Sequence, residues 1–306
     1  MKNKGELTLN SSMISKEDIR NSFILKMREK LKTYKLHPFS FIFFLLVTLA
    51  VIATVAVFFM VVGYVLVNGV PYLSPKLFEL KYTSENVSML PSIITTVSMV
   101  LISLAISAPI GVFCAIYLVE YSGTGNKIVK LIRVTTETLA GIPSIVYGLF
   151  GMLFFVTALK WGFSILAGSF TLAIMILPLI IRSTEESLKS VDQSYKEGSF
   201  GLGAGKLRTI FKIVLPSSIN GILAGIILSI GRIIGETAAL IYTAGTVAQI
   251  PENLLQSGRT LSIHMYNLSG EGLHMHQASA TGVVLLLTVF VLNALASFIA
   301  KKLEER

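Results

Sequence analysis

Glu197-Gly-Ser-Phe-Gly-Leu-Gly203, continued through Ala-Gly-Lys-Leu-Arg-Thr-Ile-Phe-Lys-Ile-Val-Leu-Pro216, is the stretch on which the fold turns. It begins polar and rich in small residues, turns through glycines at 201, 203 and 205, and then resumes a helical pattern. In that second half Leu207, Ile210, Phe211 and Val214 recur at three- and four-residue steps, the mark of an amphipathic segment lying along a membrane surface. Long apolar runs flank the stretch on both sides. A polar loop with helices of its own, set between such runs, suggests a docking surface for a partner.

The rest of the chain supports a lipid solvent. Of 306 residues, 53% are hydrophobic and only 14% are charged, too few to cover the surface of a soluble protein of this length. Crossing the hydrocarbon takes about 20 apolar residues in a helix. Six stretches qualify, at about 39–67, 90–119, 129–159, 165–181, 217–245 and 278–300. The fourth is short and carries Pro178. The third is interrupted by Gly141, Pro143, Gly148 and Gly151, residues tolerated in a span where neighbouring helices or a cavity satisfy the freed carbonyls. Close helix packing is their default meaning. The expected organisation is a cytoplasmic head, 1–38, a membrane domain, 39–301, with its loop at 183–216, and a short tail, 302–306. The head is too long for a signal-peptide n-region, so the first span is read as retained.

Lys and Arg counts set the orientation. From the head to the tail the successive non-spanning segments hold 9, 2, 3, 1, 6, 1 and 3 of them. Every odd-numbered segment is the richer, so both termini and the 183–216 loop are expected on the cytoplasmic side of the cell membrane. The net charge of +9 is thereby a matter of topology and interfacial lipid and asks for no nucleic acid. The remaining cation is Arg232, inside the fifth span. One cysteine, Cys114, in an apolar run excludes a disulfide framework or a thiolate metal site.

The spacing of the opening stretch resembles the EAA loop of ABC importer permeases. That signature reads E-A-A, three residues, G, nine residues, then I-x-L-P. Here Glu197, Gly203, Ile213, Leu215 and Pro216 stand at the matching places, and Gly198 and Ser199 replace the two alanines. The resemblance covers about the last two-thirds of the chain. It implies an all-α membrane protein, the six-transmembrane-helix type I ABC importer permease fold with a cytoplasmic coupling helix. It also implies that Glu197, Phe200 and Gly203 meet a separate ATP-binding subunit. Gly201 to Lys206 is no nucleotide site of its own: a P-loop needs glycine at 200 and Ser or Thr at 207, where Phe and Leu stand, and no strand precedes it. ATP and magnesium therefore belong to a partner, and the chain is expected to bind no cofactor and to be no enzyme.

An arginine inside a span is costly and usually faces a bundle interior or an aqueous path. Arg232 is expected near the middle of span five, with Glu236 four residues on and within pairing reach on the same helix face. The two could form a structural ion pair. A guanidinium also suits an oxyanion, because its fork donates two parallel hydrogen bonds. Arg232-Ile-Ile-Gly-Glu-Thr-Ala-Ala239 resembles the R-x-x-G-E-T-A segment of phosphate permeases of the Pst system, and Gly141-Ile-Pro-Ser-Ile-Val-Tyr-Gly148 resembles their G-I-P-S-x-x-Y-G segment. Arg259 to Tyr266 is similar to the outer loop of PstA rather than PstC. Sulfate and molybdate permeases tend to carry phenylalanine where this chain has Thr237. The resemblance thus implies that Arg232, Glu236 and Thr237 line a phosphate path. Its implied partners are a PstC-like permease, a PstB-like ATPase dimer and a PstS-like extracytoplasmic phosphate-binding protein.

Other candidates are weaker. Arg133 and Glu137, four apart at the start of span three, read as a helix-end ion pair or a gate element. Arg182 reads as a snorkelling anchor. His264, His274 and His276 fall in the outer loop and read as solvated; two imidazoles without a carboxylate make a poor metal site. Leu254, Leu255, Leu261 and Ile263 could let that loop dip into the interface. Three rivals stay open at this point: an ABC permease for sulfate or molybdate, a secondary transporter or channel, and a membrane assembly subunit that moves nothing.

Overall fold

In the computed structural model, residues 38–121 and 126–304 are described. Among them every regular element is helical. The helices are α1 (Pro38–Gly69), α2 (Leu90–Tyr121), α3 (Lys127–Ala140), α4 (Ser144–Ala158), α5 (Ile165–Lys189), α6 (Gln193–Gly201), α7 (Lys206–Ser217), α8 (Ile219–Gly235), α9 (Ala238–Ile241), α10 (Leu261–Glu271) and α11 (Met275–Glu304). The basic head, but for Pro38, and the last two tail residues lie outside the described residues.

Four helices, α1, α2, α5 and α11, are long and apolar enough to cross a membrane. Two bent pairs complete six spans when each pair counts as one: α3 with α4, bent by 106°, and α7 with α8, bent by 63°. The predicted third span is therefore two helices meeting at a corner, placed where Gly141 and Pro143 stop α3 from continuing. Tyr147 braces that corner. Its hydroxyl donates to the Leu139 carbonyl at 2.7 Å, and its ring is buried.

The described residues fall into two units, one before and one after the boundary between Tyr64 and Val65. In the first, α1 shows Phe43, Phe58 and Phe59 on its surface, as a helix in hydrocarbon does. In the second, α5 is the central element and packs on α2, α8, α3 and α4. Leu172, Met175, Ile176 and Ile180 of α5 are fully buried with Met99, Ile230, Ile234 and Leu240 around them. The expected weak fourth span is thus the core, and it runs on as helix through Lys189, so the first seven residues of the predicted loop are helical. Ser164 caps its start by accepting from Ala167 N at 3.1 Å. Small residues let α8 lie close: Ser183 Oγ donates to Gly221 O (2.9 Å) and Ser187 Oγ to Ser218 O (2.6 Å).

Candidate functional site

The end of α8, inside the stretch predicted as the fifth span, carries the first group of predicted residues. Helix α8 ends at Gly235, and Glu236 is extended, with φ −74° and ψ 127°. Arg232 therefore sits in the last turn of a helix, not midway along a continuous span, and its positive charge lies at the favourable, C-terminal end of the helix dipole. The predicted i,i+4 pairing of Arg232 with Glu236 does not form, because the helix that would place them on one face stops between them. No ion pair links them among the described residues. Glu236 turns inward and is buried; its carboxylate accepts from Ala239 N at 3.1 Å, capping α9, and its carbonyl accepts from Ser262 Oγ at 2.6 Å. Thr237 is the N-cap residue of α9 and is half-buried. Arg232 itself is exposed.

The two motifs read separately in the sequence meet here. Helix α4 packs on α9, and a Cβ on Gly148 would lie 2.7 Å from the Ala239 Cα. Only glycine allows that approach. Tyr147, one residue earlier, is near enough to Arg232 to feel its charge. The second half of span three and the turn from α8 into α9 thus lie against each other. Irregular backbone at membrane depth is tolerated where protein buries it or where it lines a cavity.

The second group gathers where α3 faces the last turns of α5. A cleft of about 230 Å³ is lined by Arg133, Glu137, Arg182, Glu185, Glu186 and Lys189. Arg133 does not pair with Glu137, which is exposed; it bonds Glu185 of α5 at 2.8 Å, and Glu185 also holds Lys189 at 2.6 Å. Arg182 pairs with Glu186 at 3.2 Å in the open rather than anchoring alone. Glu185 was missed by sequence reasoning, since its arginine lies 52 residues earlier in the chain and no local periodicity links them. With three cations against three carboxylates, the cleft can exchange partners at little net charge.

The loop between α5 and α8 holds the third group. Asp192 caps α6 by accepting from Ser194 N at 2.8 Å, and that bond holds its carboxyl below the usual carboxylate range. Helix α6 closes on Gly203, whose φ of +81° is the left-handed conformation glycine adopts freely; Gly203 N donates to Phe200 O at 2.9 Å. Ser199 is buried with its hydroxyl 2.8 Å from that of Thr209, which explains a small residue there. Phe200 and Leu202 are left exposed on the outside. Lys196 binds Glu120 at the end of α2 at 2.6 Å, both largely shielded, so α6 is pinned to the second span.

Of the outer histidines, His264 departs from expectation. The segment is helix α10, and His264 is fully buried in it, not solvated. Its ring lies edge-on to Tyr82, with Nδ1 3.4 Å from Arg259 Nη1. Burial first and the Arg259 cation second push its pKa down to about 4, against a raising hydrogen bond with Val87. His276 stacks on Tyr72 at 4.0 Å. Leu261 and Ile263 are core residues, so of the predicted interface-dipping set Leu254 and Leu255 alone are exposed. No cluster of metal-ligating side chains occurs among the described residues.

These features define a multi-pass membrane translocation subunit, and comparison with known proteins gives its family. Residues 107–306 match the family described as the binding-protein-dependent transport system inner membrane component, and the chain belongs to that family. It is similar to a probable ABC transporter permease, YqgI, of Bacillus subtilis (31% identity, 80% of this chain and 89% of the relative). It is also similar to the phosphate transport system permease protein PstA of Pasteurella multocida (39%, 58% and 63%) and to PstA 1 of Mycobacterium tuberculosis (32%, 66% and 67%). Among solved structures, a bacterial ABC transporter for alginate import superposes with a TM-score of 0.59 over 90% of this chain and 99% of that one, at 14% identity. An inward-facing methionine transporter, MetNI, superposes with a TM-score of 0.54 over 70% and 93%, at 17% identity. The type I ABC importer permease fold is the fold of this chain.

Proposed function

We propose that the chain is the PstA-like permease subunit of an ATP-driven inorganic phosphate importer. The observation that carries the reading is the Arg232 guanidinium, exposed and without an ion pair to Glu236, where α8 ends and the chain turns into α9 against the third span. The relatives named as phosphate permeases support the choice of anion. Thr237, half-buried at the same turn, offers a hydroxyl, and Glu236 holds the turn in shape. One arginine among mixed polar groups binds an oxyanion through charge-assisted hydrogen bonds yet releases it.

A PstS-like protein delivers phosphate outside, a PstC-like permease completes the path, and a PstB-like ATPase dimer binds ATP and magnesium, with no cofactor held by this chain. The ATPase docks on the loop around Glu197, Phe200 and Gly203, on the cytoplasmic side where both termini lie. Closure of the ATPase dimer moves α6, and the Lys196–Glu120 bond passes that movement to α2. The Arg133 cluster, with Glu137 on its rim, opens and recloses as a gate on the ATPase side.

The test is uptake of labelled phosphate by proteoliposomes holding the full complex. Uptake that needs ATP and is displaced by unlabelled phosphate, but not by sulfate or molybdate, is the expected result. Displacement by either of the other oxyanions, or transport without the ATPase, overturns the assignment.

A further inference from the structure

On the basic-rich side of the chain, α7 lies against the last turns of α2 and leaves a groove of about 300 Å³. Phe113, Tyr117 and Tyr121 of α2 form one wall, Leu207 and Phe211 of α7 the other, and Ile210 is part of the floor. The wall residues are exposed while Ile210 is buried, so the amphipathic stripe of α7 divides: Ile210 and Val214 go to the core and Leu207 and Phe211 face outward. No charged side chain enters the groove. Helix α7, which forms the second wall, is cationic. Lys206 Nζ stands 4.6 Å from the centre of the Tyr121 ring, and α7 adds Arg208 and Lys212, all exposed. No Asp or Glu occurs between Glu197 and Glu236, and the acid nearest in sequence to Tyr121, Glu120, is bound to Lys196. An apolar slot thus opens along a helix with three exposed cations that no acid on that helix offsets, at the end of a membrane-crossing helix.

We infer that this groove holds an acyl chain of an anionic phospholipid, with the headgroup phosphate on Lys206, Arg208 and Lys212. An acyl chain gains little by leaving other tails for an apolar protein wall. Selection among lipids therefore falls to the headgroup, where each basic residue near the surface contributes about fivefold in binding of an anionic lipid. Aromatic side chains such as Tyr117 and Tyr121 suit the interfacial depth at which tail and headgroup meet. A bound lipid bridges α7 to α2 and so steadies the helical segment that follows the coupling helix.

The test uses the full complex extracted from membranes of phosphatidylethanolamine and phosphatidylglycerol with a nanodisc-forming polymer. Bound lipid is measured by mass spectrometry. Phosphatidylglycerol enriched over the bulk membrane in the wild type, and an enrichment reduced about fivefold or more in a Lys206→Gln, Arg208→Gln, Lys212→Gln triple variant, is the expected result. A photo-crosslinking residue at Leu207 of the otherwise wild-type complex is a second readout and needs no loss of charge. A phospholipid adduct supports the site; a crosslink to another subunit assigns the groove to a protein interface and overturns it, as does enrichment equal in wild type and triple variant. Neither readout involves phosphate transport, so the lipid site stands or falls apart from the transport assignment.

Discussion

Arg133 and Arg232 begin alike and end differently. Each is followed four residues later by a glutamate, each stands on a membrane helix, and neither uses that glutamate. Arg133 lies within an unbroken helix with Glu137 free to reach, yet Glu185 on α5 takes it across the bundle. Arg232 loses Glu236 because its helix ends at Gly235, and the carboxylate turns to cap α9 instead. The same spacing thus gives a cross-linked cation in one region and an unspent one in the other. Spacing proposes a pair; helix continuity and competing partners decide it.

Ways to break or sharpen that contrast run from large effects to small. The helix that fixes the Glu236 carbonyl through Ser262 is α10, which also buries His264. His264 ionises near pH 4 in the native protein and near 6.5 when unfolded, so the unfolded state binds the extra proton between those values. Stability is complete above pH 6.5 and falls by roughly 3 kcal/mol as pH drops to 4. Melting curves of the solubilised complex across that range record the slope, and His264→Asn flattens it. Gly148→Ala follows, costing about 2 kcal/mol by forcing a methyl group against the Ala239 backbone, whereas Gly198→Ala, with open space around it, changes the melting temperature little.

A double-mutant cycle on Arg133 and Glu185 comes next. The pair is partly exposed, and its coupling energy is about 1 kcal/mol or less. The matching cycle on Arg133 and Glu137 gives a coupling near zero. A larger value for the second cycle than for the first reverses the assignment of partners.

Much of the architecture was legible in the sequence, because lipid leaves few options: the apolar runs mark the spans, and the EAA-like spacing points to the family. Gly203 was legible for a local reason, since a left-handed turn wants glycine. The breaks were less so. Gly141 and Pro143 signalled a weak point in span three but not a corner of 106°, which depends on what α4 packs against. The end of α8 at Gly235 was hidden inside an apolar run that continues to 245, and with it went the expected Arg232–Glu236 pair. His264 reads as a loop residue until α10 is seen folded beneath Arg259 and Tyr82. Glu185 needed a contact between distant helices. Local chemistry can be read along the chain; partnerships across the bundle cannot.

The claim at the centre is that Arg232 is left without its glutamate so that its guanidinium can meet a passing anion. The most direct measurement is initial phosphate uptake by Arg232→Ala and Arg232→Lys complexes at matched membrane abundance. Losing two charge-assisted hydrogen bonds lowers uptake at least tenfold in the alanine variant, with part of it restored by lysine. Wild-type uptake in both variants contradicts the account.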